Sequence, residues 1–168
     1  MALFEPIFAA LNNNDVRYVV VGGVAVVLHG YPRLTADTDL VIDLEPPAAL
    51  NAMRSLSAIG LRPRAPVSIE ALADSDIRES WIRDKGMRIF SLWDPSTPLR
   101  EVDVFVETPV PFLDLWSRSE IVNLHSTWVR IASIPDLIYI KGLAGRPEDL
   151  QDIEALSAIQ EQRTTNGR

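Results

Sequence analysis

The sequence predicts an α/β domain of the α+β kind: a mixed sheet of about five strands, mainly antiparallel, flanked by helices and followed by a helical C-terminus. Three observations predict the architecture. The β-branched run at 18–21 ends abruptly in Gly22-Gly23 and passes into an apolar stretch, which is the order strand, tight turn, helix. Residues 37–44, 87–93 and 101–106 alternate with the period of a strand. From Ser133 onward the apolar spacing becomes helical.

Composition sets the limits. A chain of 168 residues with 47% apolar and 23% charged side chains can bury one core. A single domain over 1–162 with a frayed tail over 163–168 is therefore expected. The absence of cysteine excludes a disulfide framework, thiolate zinc sites and a cysteine nucleophile. Glu5 and Pro6 interrupt the only apolar stretch near the N-terminus, and no basic leader precedes it. It reads as neither signal peptide nor membrane span, which places the protein in the cytoplasm with no membrane partner. A net charge of −7 argues against broad adhesion to nucleic acid, so any RNA contact must be local or bridged by metal ions.

Taken in order, residues 4–11 have helical spacing and stop at Asn12-Asn13-Asn14-Asp15. The strand at 18–21 and the helix through His29 follow, closed by Gly30-Tyr31-Pro32. The strand at 37–44 puts Leu40, Ile42 and Leu44 on one face and Asp37, Asp39, Val41 and Asp43 on the other. Pro46-Pro47 opens a helix that Gly60 closes. Residues 69–84 are assigned to helix, and the turn Asp94-Pro95-Ser96-Thr97-Pro98 joins strands 87–93 and 101–106 as a hairpin. In the second of these, Val102, Val104 and Val106 oppose Glu101, Asp103 and Phe105. A short strand pair flanks His125-Ser126. Ser133 and Asp136 then form a capping-box-like start for a helix carrying Lys141, and a final helix runs from Pro147 to about Gln160.

The chemistry concentrates at one place. Asp37 and Asp39 lie on one strand face with Cα atoms roughly 6 to 7 Å apart, a cation clamp of hard oxygen ligands suited to Mg²⁺. A third carboxylate from a neighbouring strand allows a two-metal site; Asp103 is the first candidate and Glu101 the second. Gly22-Gly23, between strand and helix, lets a triphosphate approach backbone amides and the positive helix end. The site is expected at one edge of the sheet. Arg33 pairs either with phosphate or with one of these acids. Lys141 is either a snorkelling lysine or a buried one beside phosphate. His29 reads as a packed or capping histidine rather than a general base, and Glu148, Asp149, Asp152 and Glu154 as the wet face of the last helix.

The linked pattern Gly22-Gly23-x-Ala25-x-x-x-His29-Gly30-x-x-Arg33-x-Thr35-x-Asp37-x-Asp39 resembles the DNA polymerase beta-like nucleotidyltransferase superfamily. Its later half, with Lys141 and the segment Arg146-Pro147-Glu148-Asp149-x-x-Asp152, looks most like the AbiEii-like toxin branch. The resemblance implies that Gly22 and Gly23 bind the nucleotide, that Asp37, Asp39 and Asp103 hold magnesium and act as catalytic residues, and that Lys141 faces the phosphates. Arg33 and Thr35, within the same pattern, are counted with the nucleotide-binding residues. It further implies transfer of a nucleoside monophosphate from a nucleoside triphosphate to an acceptor hydroxyl, tRNA or another RNA among the acceptors, in a toxin–antitoxin or abortive-infection setting with a cognate antitoxin or toxin as partner. Two alternatives stand beside it: a non-catalytic nucleotide-binding or antitoxin module of the same fold, and a small-molecule, antibiotic-modifying nucleotidyltransferase.

Overall fold

A computed structural model describes residues 2–166. Helix α1 (Glu5–Asn13) leads into strand β1 (Tyr18–Val21), helix α2 (Gly22–His29), strand β2 (Asp37–Ile42) and helix α3 (Pro46–Ala58). After the short strand β3 (Arg62–Pro63) come a single 3₁₀ stretch (Ile69–Ala73), helix α4 (Ser75–Lys85), strands β4 (Ile89–Asp94) and β5 (Thr97–Phe105), and helix α5 (Phe112–Arg118). Strands β6 (Glu120–Asn123) and β7 (Trp128–Ile131) precede helices α6 (Ile134–Ala144) and α7 (Pro147–Asn166).

The strands form one sheet in the order β3-β4-β5-β2-β1-β7-β6. β2 runs antiparallel to β1 but parallel to β5, and β1 is parallel to β7, so the sheet is mixed as expected. It has seven strands instead of about five: the expected pair around His125-Ser126 is present as β6 and β7, and two-residue β3 is too short to leave a periodic signal. Helix α5 was not expected either; its seven residues carry only Leu115 into the core. The segment expected as one helix over 69–84 breaks at Asp74, whose carboxylate caps α4 by accepting from the N–H groups of Asp76 and Ile77.

One face of the sheet is the apolar one. Tyr18, Val20, Leu40, Ile42, Val104 and Phe90 all lie on it and are at most 1% exposed. Phe8 of α1 stacks on Tyr18 at 6.2 Å, and Trp81 of α4 stacks on Phe90 at 5.3 Å. The opposite face is apolar at Val19, Val21 and Val41, all at most 1% exposed, and carries polar groups at Asp37, Asp39 and Asp103. Helix α7 continues through Asn166, beyond the expected end near Gln160, and residues 167 and 168 of the expected tail lie outside the described residues. Among the described residues no helix is long and apolar enough to cross a membrane.

Candidate active site

The polar face is organised by strand register. Val21, Asp39, Asp103 and Ser91 form one row across β1, β2, β5 and β4, and Asp37 pairs with Glu101 in the next. Because side chains alternate along a strand, Asp37, Asp39 and Asp103 must project from the same face. One carboxylate oxygen from each lies within 4.8 Å of the others. Of the two candidates for third acid, Asp103 joins the cluster, whereas Glu101 forms an ion pair with Arg64. The expected location at a sheet edge is corrected: β2 has three strands on either side, so the acids sit at the middle of the sheet. The sequence shows which face each acid takes, but strand order is set by pairings between distant residues.

Burial and neighbouring negative charge raise the proton affinity of Asp39 and Asp103. Burial is the largest influence on Asp39, followed by the charges of Asp37 and Asp103, and together they push its pKa up to about 7. Asp103 is also raised, first by burial and then by Asp37 and Glu101, against an opposing hydrogen bond from Ser91. Among the described residues no lysine or arginine is ion-paired with any of the three. An oxygen-only, half-buried donor set without a directly paired cation fits a hard divalent cation.

Gly22 begins α2 directly after β1, with φ +64, a left-handed conformation that a side chain disfavours. A Cβ there would collide with the Asp39 carboxylate, and one on Gly23 would come within 2.5 Å of Thr35 Oγ1. The two glycines therefore let the helix N-terminus settle onto the acids, with its free N–H groups at the mouth of the cleft. Thr35 donates to the carbonyl of Asp37 at 3.3 Å, which ties the loop before β2 to its first residue.

Lys141 and Arg33 reach the same cleft by way of helix α7. Lys141 is 5% exposed, and its Nζ lies 3.1 Å from Asp149 and 2.6 Å from Asp152. Arg33 forms an ion pair with Asp152, and Arg146 donates to Asp149 at 2.8 Å. Both aspartates are 1% exposed, so the expectation that they face water is wrong. Burial opposes ionisation of Asp149, but hydrogen bonds from Arg146 and Lys141 outweigh it and hold its pKa below the ordinary value. Of the two readings of Lys141 the structure takes the buried one, and Arg33 pairs with an acid of α7 rather than with the β2 or β5 acids. His29 is packed, with Nε2 2.8 Å from the carbonyl of Ala132.

The cleft has two lobes that share Gly22, Asp39, Arg88, Phe105, Lys141, Ala144 and Arg146. The acid lobe, about 740 Å³, adds Gly23, Arg33, Thr35, Asp37 and Asp103. The second lobe, about 630 Å³, adds the apolar Val21, Pro109, Ile140 and Leu143 together with Glu107, Thr108 and Asp149. Sequence reasoning missed Arg88 and Arg146 as cleft residues, since an arginine on a strand end or in a loop carries no periodic signal.

No protein-family model and no curated protein matches the chain. Solved structures do. The chain is similar to the lincosamide antibiotic adenylyltransferase LnuA bound to lincomycin, with a TM-score of 0.63 and 16% identity over 94% of this chain and 96% of that one. It is similar to an antigenic nucleotidyltransferase-like protein from Paracoccidioides brasiliensis, with a TM-score of 0.58 and 20% identity over 92% and 74% of the two chains. It is also similar to ANT(2'')-Ia in complex with adenylyl-2''-tobramycin, with a TM-score of 0.58 and 12% identity over 98% and 94%. By architecture, then, the chain has the nucleotidyltransferase fold, with the three carboxylates and the glycine turn at the centre of its sheet.

Proposed function

We propose that the protein is a nucleotidyltransferase that moves a nucleoside monophosphate from a nucleoside triphosphate to an acceptor hydroxyl. The observation that carries this reading is the cluster of Asp37, Asp39 and Asp103 directly beneath a helix N-terminus kept open by Gly22. The amides at Gly22 and Gly23 face the β- and γ-phosphates, and Lys141, Arg33 and Arg146 add positive charge at the cleft wall. The acceptor oxygen forms a bond to the α-phosphorus as the bond to the bridging oxygen breaks, and pyrophosphate leaves toward α2. The hydroxyl proton passes to Asp103, which stands on β5 beside the Asp39 carboxylate. Asp37, Asp39 and Asp103 would hold magnesium, one ion or two, and it would supply neutralisation of the charge on the phosphates and the leaving group.

Two acceptor classes are supported by different observations. The net charge of −7 and the apolar side chains of the second lobe favour a small hydroxyl-bearing molecule. The AbiEii-like pattern around Arg33 to Asp39 favours the end of an RNA, tRNA included, with an antitoxin or toxin as protein partner. The test is incubation with each α-labelled triphosphate and magnesium, offering total RNA in one arm and a panel of aminoglycosides and lincosamides in the other. Labelled product formed by the native protein and reduced at least about 100-fold in Asp39→Ala supports the reading. Transfer that survives in Asp39→Ala overturns it. Magnesium-dependent triphosphate binding without transfer to either acceptor class would leave the non-catalytic nucleotide-binding module.

A further inference from the structure

We propose that the second lobe is the nucleoside pocket, and that Phe105 together with the Arg88 and Glu107 pair at its mouth selects purine over pyrimidine triphosphates. The proposal rests on the nucleotidyl-transfer reading, and it begins from the division of the cleft. Gly23, Thr35 and Arg33 line only the acid lobe, so a triphosphate tail seated on the α2 N-terminus runs that way. The nucleoside must leave the α-phosphorus in another direction. The lobe that shares Gly22, Asp39 and Lys141 with the acids, and adds the apolar side chains of Val21, Pro109, Ile140 and Leu143, is the space that accepts it.

Phe105 lies two residues beyond Asp103 on the same face of β5, so their Cα atoms are one strand repeat, roughly 6 to 7 Å, apart. That spacing is on the order of the distance between an α-phosphorus and its base. Ile140, Leu143 and Ala144 of α6 line the same lobe as the ring, with Pro109. A flat aromatic floor with aliphatic walls suits a base held by its π-face. A cavity of about 630 Å³ is ample for a purine nucleoside.

At the mouth, Arg88 Nη1 donates to Glu107 Oε2 at 2.9 Å, and Thr108 lines the same lobe. Both charged side chains remain mostly exposed, at 72% and 56%, so their free donor and acceptor positions are open to a ligand. Together they offer a carboxylate for a base N–H and a guanidinium for a ring nitrogen or carbonyl. A purine presents such groups on its far edge while covering the Phe105 ring. The smaller pyrimidine covers less of the ring and falls short of the pair.

The experiment measures equilibrium binding of ATP, GTP, CTP, UTP and inorganic triphosphate, with magnesium, to native protein, Phe105→Leu and Glu107→Gln. Glu107 is exposed and its substitution leaves folding intact, which guards against a misfolded Phe105 variant. Purine triphosphates are expected to bind at least about tenfold tighter than pyrimidine ones. Each variant should compress that ratio at least about threefold while inorganic triphosphate binds as before. Equal binding of all four nucleotides, or a purine preference unchanged in both variants, overturns the proposal while triphosphate binding keeps the transferase reading intact. Failure of every nucleotide and of inorganic triphosphate to bind overturns both together.

Discussion

Asp39 is the residue on which the centre's electrostatics turn. Its pKa of about 7 means that the folded chain holds a proton there which the unfolded chain releases near pH 4. Across that window the folded state binds more protons, so this group's contribution to stability is full below about pH 4 and is lost as the pH rises through about 7. At one unit per 1.36 kcal/mol the loss is bounded at about 4 kcal/mol. Asp39→Asn, with chelator present, is therefore expected to be more stable than the native protein at about pH 8, by about 2 to 4 kcal/mol in urea unfolding. The gain should shrink toward zero by about pH 4. A variant no more stable than the native protein at the higher pH would show that the carboxylates do not strain one another. On the proposed transferase reading the same substitution is expected to remove transfer, so stability and activity would move in opposite directions at this one position.

At the scale of elements, α6 and α7 are joined by charge as much as by packing. Lys141 lies between Asp149 and Asp152, and Arg33 and Arg146 bind the outer sides of the same two carboxylates. Lys141→Met fits the volume but leaves each buried aspartate with one cation fewer. A loss of about 2 to 4 kcal/mol near neutral pH is expected in chemical denaturation, as for a broken buried pair. A loss below about 0.5 kcal/mol would place the lysine in the class of marginal surface pairs. This junction also marks how far the sequence could be read. The step from β1 to α2, the two-residue spacing of Asp37 and Asp39, and the valine-backed Asp103 were legible because each is a local pattern. Arg33 and Asp152 are 119 residues apart, and no local pattern announces that the charges of α7 are turned inward to meet such a partner. The same reason hid the central place of β2, whose parallel neighbour β5 begins more than 50 residues after it ends.

For the whole molecule, a net charge of −7 works against any long polyanion that must lie along the surface. Binding to generic duplex RNA is expected to be weaker than about 10 μM at about 150 mM salt in a filter assay, however well a short RNA end fits the cleft. Tight, salt-steep binding would reveal a basic surface that the chain's composition does not suggest.

The parallel closure of β5 against β2 has one more consequence. In the unfolded chain Asp103 is more than 60 residues from Asp39 and does not feel it, so the mutual repulsion of the acids is created by the native fold itself. A divalent cation that relieves it binds folded molecules almost alone, and the ambient supply of that ion thereby sets what fraction of chains remain folded.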